Sequence, residues 1–325
     1  MHKDDILRLL RSSRSGFVSG AELASAMGVS RTAVWKHVKS LEQEGYGIEA
    51  VPSKGYRLLS APDLIVPREV QEGLRTKSIG REIVHRIATA STNSLAMELA
   101  QQGAADGTAV VAETQTAGKG RRGRNWVSPR GNLYLSVVLR PAVPVNKAPL
   151  ITLMGAVAVA SAIRKHSGVP AAIKWPNDIL ISGRKVSGLL TEMSAEPDRI
   201  RHIVLGIGVN VNMDLRSLPP DVRGRSTTLA AAAGKSIDRT GFLKALLAEL
   251  DHWYRCFLKK ETDVLAAWQE LNATLGKRVA VSGAGELLEG QATGVDAEGR
   301  LVLTLDDGTV RQVAAGDVTI VKRNP

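Results

Sequence analysis

Residues 118–124 read GKGRRGR, four cations and three glycines in seven positions. Glycine lets backbone N–H groups come close to an anion, and adjacent cations repel until an anion neutralises them. The segment is therefore expected to be a loop, mobile when empty and ordered around a polyphosphate or an adenylate. Its spacing is neither the GxxxxGK[ST] of a Walker loop nor a GxGxxG that follows a strand. On this segment alone, an ordinary basic surface loop is the alternative.

A second motif changes that balance. Lys174-Trp175-Pro176-Asn177-Asp178 is followed by an apolar run, a Ser182-Gly183 turn, and a return run that begins near Lys185 and contains Gly188. The pattern predicts a hairpin that carries Lys174, Asp178 and Lys185. Together, the glycine and arginine loop, KWPND and the lysine seven residues after its aspartate resemble the biotin protein ligase family, where they recur at these relative positions. The resemblance covers nearly the whole chain, from KGYRL at 54–58 through GIGVNVN at 206–212 to the C-terminal segment, and it is to the bifunctional class.

That resemblance implies a biotin–[biotin carboxyl-carrier protein] ligase. Its central domain has a fold like that of class II aminoacyl-tRNA synthetases and joins biotin to ATP as biotinyl-5′-adenylate. The biotin then passes to one lysine of a biotin carboxyl carrier protein, and the same adenylate acts as corepressor of biotin genes. For biotin, the implied residues are Ser91, Thr92, Asn93, Gln115, Gly118, Lys119, Arg121, Lys185 and Gly188. For ATP and the adenylate they are Lys119, Arg121, Arg122, Arg124, Trp126, Asn177, Lys185 and Asn210. Lys185, Asp178 and Arg121 are the implied catalytic groups.

These assignments make physical sense, and each has a plainer counterpart. The hydroxyls and amides of Ser91, Thr92, Asn93 and Gln115 suit a neutral ureido ring without stranding a buried charge; Ser91 to Asn93 can equally be the N-cap of a following helix. Attack of the biotin carboxylate on an α-phosphate brings two anions together, so cations must lie between them. Lys185, Lys119 and Arg121 are the candidates, with Lys185 as the bridge. Arg121 and Arg124 suit phosphates, and Mg²⁺ is expected to arrive with ATP, since the sequence offers no all-protein metal cage. Lys119 stands where family members often carry arginine, which keeps the charge but not a bidentate contact. In the transfer step the acceptor lysine must lose a proton, and Asp178 is the implied base or orienting group; its alternative is a turn cap. Trp126 either walls the biotin pocket or fills core, and Asn210 either meets adenine or satisfies backbone. A lipoate protein ligase and a non-catalytic biotin-sensing repressor are the rival functions.

Elements must hold these groups in place. Extended apolar runs at 108–112, 133–139 and 203–211 alternate with helical ones at 94–102, 147–166 and 241–259, which predicts a mixed α/β catalytic domain over 79–272. From 273 to 325, short strands at 278–281, 289–295, 301–305 and 310–314 predict a small SH3-like β-barrel that leans on the catalytic domain. The overall class is α+β.

Residues 1–60 predict a winged helix-turn-helix. Ile6, Leu9 and Leu10, then Leu23 and Met27, then Val34, Val38 and Leu41 give three short helices, with Ser19 and Ser30 as caps and Gly28 in the turn. Extended runs at 48–51 and 56–59 around Pro52, Ser53, Lys54 and Gly55 form the wing. Ser30, Arg31, Thr32, Trp35, Lys36, Lys39 and Lys54 are the expected DNA contacts, on a homodimer that reads a symmetric operator. Residues 61–78 read as a linker with a short helix from Pro67 to about Leu74.

The 325 residues, 44% of them hydrophobic, suffice for more than one buried core. A net charge of +11 predicts anionic partners. The single cysteine, Cys256, forms no internal disulfide and fits a reducing cytoplasm. Charges at Lys3, Asp4 and Asp5 argue against a signal peptide, and the apolar stretch 151–163 looks too short to span a bilayer.

Overall fold

The computed structural model describes residues 2–13, 16–43, 45–60, 63–283 and 286–321. These form two compact units, one ending at Leu64 and the other beginning at Ile65.

In the first unit, helices α1 (His2–Ser12), α2 (Gly20–Met27) and α3 (Arg31–Gln43) precede a hairpin of β1 (Gly47–Val51) and β2 (Gly55–Ser60). Ser19 Oγ accepts from the Glu22 N–H and Ser30 Oγ from the Ala33 N–H, so both expected caps form. Gly28 closes α2 at φ 65°, a left-handed position that costs glycine little. Ile6, Leu7, Leu10, Leu23, Val34, Val38 and Leu41 form the core. Leu7, one turn before Arg11, takes the inward place expected of Leu9, which is only half-buried against this cluster. At Gly55, φ is 107° and a Cβ would lie 2.1 Å from the Val18 carbonyl oxygen, so the wing turns where only glycine fits.

The second unit opens with α4 (Pro67–Gln71), shorter than expected, and then β3 (Ile83–Thr89), α5 (Thr92–Gln101), β4 (Ala109–Gln115), β5 (Leu133–Leu139) and α6 (Ala148–Ser167). β6 (Ala171–Lys174), β7 (Asp178–Ile181), β8 (Arg184–Ala195) and β9 (Ile200–Val209) follow, then the short helices α7 (Pro220–Arg223) and α8 (Leu229–Ala233), and the longer α9 (Arg239–Lys259) and α10 (Glu261–Leu271). The strands of this sheet pair antiparallel for the most part, as short connections between neighbours require: in the order β3-β4-β5-β9-β8-β7-β6, only β3 and β4 run parallel, joined across α5. Helix α5 covers one face with Ala96 and Ala100 against Val110, Val138 and Val204. The other face meets α6 and α9 in the main core.

Helix α6 is apolar nearly all round because it is buried nearly all round. Its length and composition would let it cross a membrane, contrary to the length expectation; 72% of its apolar window is instead buried in the protein. Two elements had no clear pattern in the sequence. β3 is a polar edge strand with an exposed Arg86 and Ile87, and α10 buries only Val264 and Trp268.

Strands β10 (Arg278–Gly283), β11 (Glu286–Val295), β12 (Leu301–Thr304), β13 (Val310–Val313) and β14 (Asp317–Ile320) form an antiparallel sheet in the order β13-β12-β11-β10-β14. β14 lies beyond the strands the pattern suggested. This sheet shares the main core through Val279, Val281, Ala292, Leu301 and Leu303.

Candidate active site

The expected hairpin is present as β7 and β8, and it gathers charge. Asp178 Oδ1 lies 2.5 Å from Lys185 Nζ, and Asp178 Oδ2 lies 3.6 Å from Lys174 Nζ. The backbone fixes Lys185 on both sides: its N–H donates to Arg225 O and its carbonyl accepts from Thr227 N–H. Beside it, Asn177 donates from Nδ2 to Leu189 O, while its Oδ1 accepts from Arg121 Nη1 at 2.9 Å. Trp175 is buried, and its indole N–H donates to Gly299 O in a turn of the C-terminal segment, as its amide does to Thr274 Oγ1. The KWPND segment is thus held from beneath by the residues that follow α10.

Next to this cluster the strands are floored with glycine. A Cβ on Gly208 would lie 2.6 Å from the Trp126 indole, one on Gly188 3.0 Å from the same ring, and one on Gly206 2.0 Å from Asn93 Oδ1. Trp126 therefore lies flat on β8 and β9, with Lys185 Nζ 5.3 Å from its ring centre. Its buried indole N–H finds no acceptor among the described residues.

At the start of α5 the polar groups interlock. Gln115 Oε1 accepts from Thr92 N–H, and its Nε2 donates to Ser128 Oγ. Asn93 Nδ2 donates to Glu192 Oε2 and Leu190 O, and its Oδ1 accepts from Ser136 Oγ. Ser91 occupies the N-cap position, but its side chain makes no capping hydrogen bond, which leaves a buried hydroxyl uncommitted. Asn210 is buried and donates to Thr227 O, so its contact in this structure is with backbone.

The cationic loop covers this floor. Gly118 O accepts from Trp126 N–H, and Gly120 N–H donates to Arg124 O. Lys119 Nζ sits 3.9 Å from Glu192 Oε1. Arg121 also donates to Gly316 O, and Arg122 and Arg124 both reach Asp317. Burial pulls the Arg121 guanidinium below its ordinary value, against the attraction of Asp317 and Asp178 and with the repulsion of Arg122 and Arg124. Repulsion among the four cations was expected to free the empty loop; Asp317 stands among three of them instead.

Sequence reasoning missed Ser128, Ser136, Glu192, Gly206, Gly208 and Asp317. The alternate glycines of GIGVNVN were the available signal for close approach to a strand. Asp317 carried none.

In the first unit, Arg31, Thr32, Trp35, Lys36 and Lys39 all lie exposed on α3, with Trp35 at 51% exposure. Lys39 pairs with Glu42 at 2.6 Å, Lys54 on the wing lies 5.9 Å from the Phe17 ring, and Ser30 is engaged as a cap.

Three family models match this chain: an HTH domain over residues 2–57, the Biotin/lipoate A/B protein ligase family over 85–210, and the Biotin protein ligase C terminal domain over 274–321. Bifunctional ligase/repressor BirA of Bacillus subtilis is 39% identical over 320 residues, spanning 98% of both chains. The chain belongs to the bifunctional biotin protein ligase/repressor family. The Escherichia coli ligase/repressor is 29% identical over 306 residues, covering 94% of this chain and 93% of its own. Among solved structures, the biotin protein ligase of Aquifex aeolicus in complex with biotin and ATP superposes with a TM-score of 0.65 at 28% identity, over 74% of this chain and 99% of that one. The catalytic family model ends at residue 210, just past the glycine-floored strand β9.

Proposed function

We infer that the second unit activates biotin with ATP and transfers it to a lysine of a biotin carboxyl carrier protein, and that the first unit binds operator DNA. Four stretches divide this work: a DNA reader over 1–60, a linker over 61–78, a catalytic domain over 79–272 and a C-terminal domain over 273–325. The arrangement of Lys185, Asp178, Asn177 and Arg121 beside a glycine floor supports the reading more than any other observation.

In the first step a biotin carboxylate oxygen attacks the α-phosphorus and pyrophosphate leaves. Lys185 turns from Asp178 toward the meeting anions and stabilises the charge that grows there, and Arg121, Arg122, Arg124 and Lys119 hold phosphate oxygens. Asp178 keeps Lys174 as a counter-ion while Lys185 is away. Ser91, Thr92, Asn93, Gln115, Gly118 and Gly188 take the ureido end, Trp126 covers the adenylate, and Asn177 and Asn210 border the nucleotide. Among the described residues no cluster of three His, Cys, Asp or Glu suits a metal ion. Mg²⁺ would arrive with ATP and would screen the triphosphate there.

In the second step the acceptor ammonium gives a proton to Asp178, the free amine attacks the adenylate carbonyl, and AMP leaves. The adenylate-loaded protein then pairs into a homodimer through the sheet edges of the catalytic domain, where β3 and β6 end the ladder. Two readers would thereby face two half-sites. The setting is the cytoplasm.

The test has two arms. Protein loaded with biotin and ATP should label an apo carrier domain covalently, and lipoate in place of biotin should not. Sedimentation with both ligands should show a heavier species that retards operator DNA, and removal of residues 1–60 should abolish retardation and spare labelling. A lipoate-labelled carrier, or no label at all, rejects the enzymatic reading; a mass that the ligands leave unchanged rejects ligand-driven pairing.

A further inference from the structure

Asp317 opens β14, and its carboxylate faces the cationic loop. Arg124 Nη2 donates to both of its oxygens, at 2.7 and 2.8 Å, and Arg122 Nη1 reaches it at 3.4 Å. Arg121 lies 3.9 Å away and donates to the carbonyl of the preceding Gly316. A carboxylate hydrogen-bonded to two guanidiniums and within ion-pair distance of a third on one short loop offsets the repulsion that would otherwise open it.

Two other observations point the same way. Arg122 holds a left-handed backbone at φ 55°, which a non-glycine residue keeps only where its surroundings enforce it, and Asp317 is its side-chain partner. Arg121, the arginine with the weakest hold on Asp317, is the one that reaches inward to Asn177 beside Asp178. The two outer arginines are tethered, and the inner one is left to face the site.

We propose that Asp317 is a positioning residue: it clasps the loop shut from the C-terminal domain, so that Arg121 is presented to the phosphate and the adenylate is kept from escaping. The role of the loop rests on the functional reading above; the clasp itself does not. It acts without touching substrate. Ligand phosphates and Asp317 share the arginines, so the closed loop is already assembled when ATP arrives, and the acyl phosphate stays enclosed until an amine reaches it. A C-terminal sheet that shares the main core thereby reports its docking directly to the chemistry.

Asp317→Asn removes the charge at constant shape, on a side chain exposed enough for the fold to tolerate it. The full-length parent, Asp317→Asn and Asp317→Glu are compared in two assays. Trypsin cutting after Arg121, Arg122 or Arg124 in ligand-free protein should be about tenfold faster in the asparagine variant and near the parent rate in the glutamate variant. Protein loaded with biotin and ATP, then passed through a filter, should release free adenylate about tenfold faster in the asparagine variant, with rescue by glutamate. Trypsin resistance equal to the parent overturns the clasp. Faster cutting with unchanged adenylate escape also overturns the proposal, because it reduces Asp317 to a structural contact. If the parent itself forms no adenylate, the functional reading fails, and the trypsin comparison still decides the clasp.

Discussion

Gly208→Ala places one methyl group under the Trp126 ring. Its Cβ would lie 2.6 Å from Cε2 and Nε1 and 2.9 Å from Cζ2, about 1 Å inside the separation of about 3.5 Å at which such atoms rest. No positive φ strains the backbone there, so the effect is steric. The ring cannot slide freely, because the Trp126 amide is tied to Gly118 O and Lys185 lies near its face. Overpacking of this kind costs about 1–3 kcal/mol, and a shift of about 1 Å beside reacting atoms costs about 10²-fold in rate. The expected result is a lowered urea midpoint together with biotin-dependent pyrophosphate release slowed about a hundredfold. Gly224→Ala is the control: its φ of −61° is ordinary, and nothing lies within 4 Å of a Cβ there. That variant should be neutral or about 0.4–1 kcal/mol more stable. A Gly208→Ala protein with the parent's midpoint and rate would refute the claim that the indole rests on this strand beside the reacting groups.

Other expectations follow from the same geometry. Lys185→Ala should keep its far-UV circular dichroism and lose about 10²–10³-fold in adenylate synthesis, as removal of a transition-state charge partner does; equal rates would remove the assigned role. Arg239 is buried against Glu113, its Nη2 at 2.8 Å from Oε2, so Arg239→Met should cost about 3–5 kcal/mol in urea unfolding by stranding that carboxylate. Burial opposes the charge on Glu113, but His85, the Ile65 amide and Arg239 outweigh it and hold the carboxyl below its ordinary value. Asp251 is held down likewise, against burial, by the amides of Ser78, Lys77 and Ile79 and by Arg255. Folded values below unfolded ones mean stability that is fully present above the ordinary carboxyl range and is lost as pH falls through the folded values. Urea midpoints measured from pH 6 down to pH 3 should therefore decline; a flat profile would contradict the pairing.

How much of this was legible follows from the kind of pattern each part leaves. The reader helix α3 was plain because Val34, Val38 and Leu41 repeat at helical spacing and turn Arg31, Lys36 and Lys39 outward. The β7–β8 hairpin was plain because a Ser-Gly turn interrupts an apolar run. β3 was hidden because an edge strand is wet on much of its surface and so lacks alternation. Ser128, Ser136 and Glu192 were hidden because they meet Gln115, Thr92 and Asn93 only after non-adjacent strands are brought together. Asp317 lies 193 residues along the chain from its partner Arg124, and no local rule connects them.

The central claim is that these cations and Asp178 make and then spend a biotinyl adenylate. Pyrophosphate release from ATP and Mg²⁺ by the full-length protein, with biotin, with lipoate and with neither, addresses it most directly. Release is expected with biotin alone, stopping near one equivalent per site until an apo carrier domain is added and turnover resumes. Release that ignores biotin, or that prefers lipoate, would contradict it.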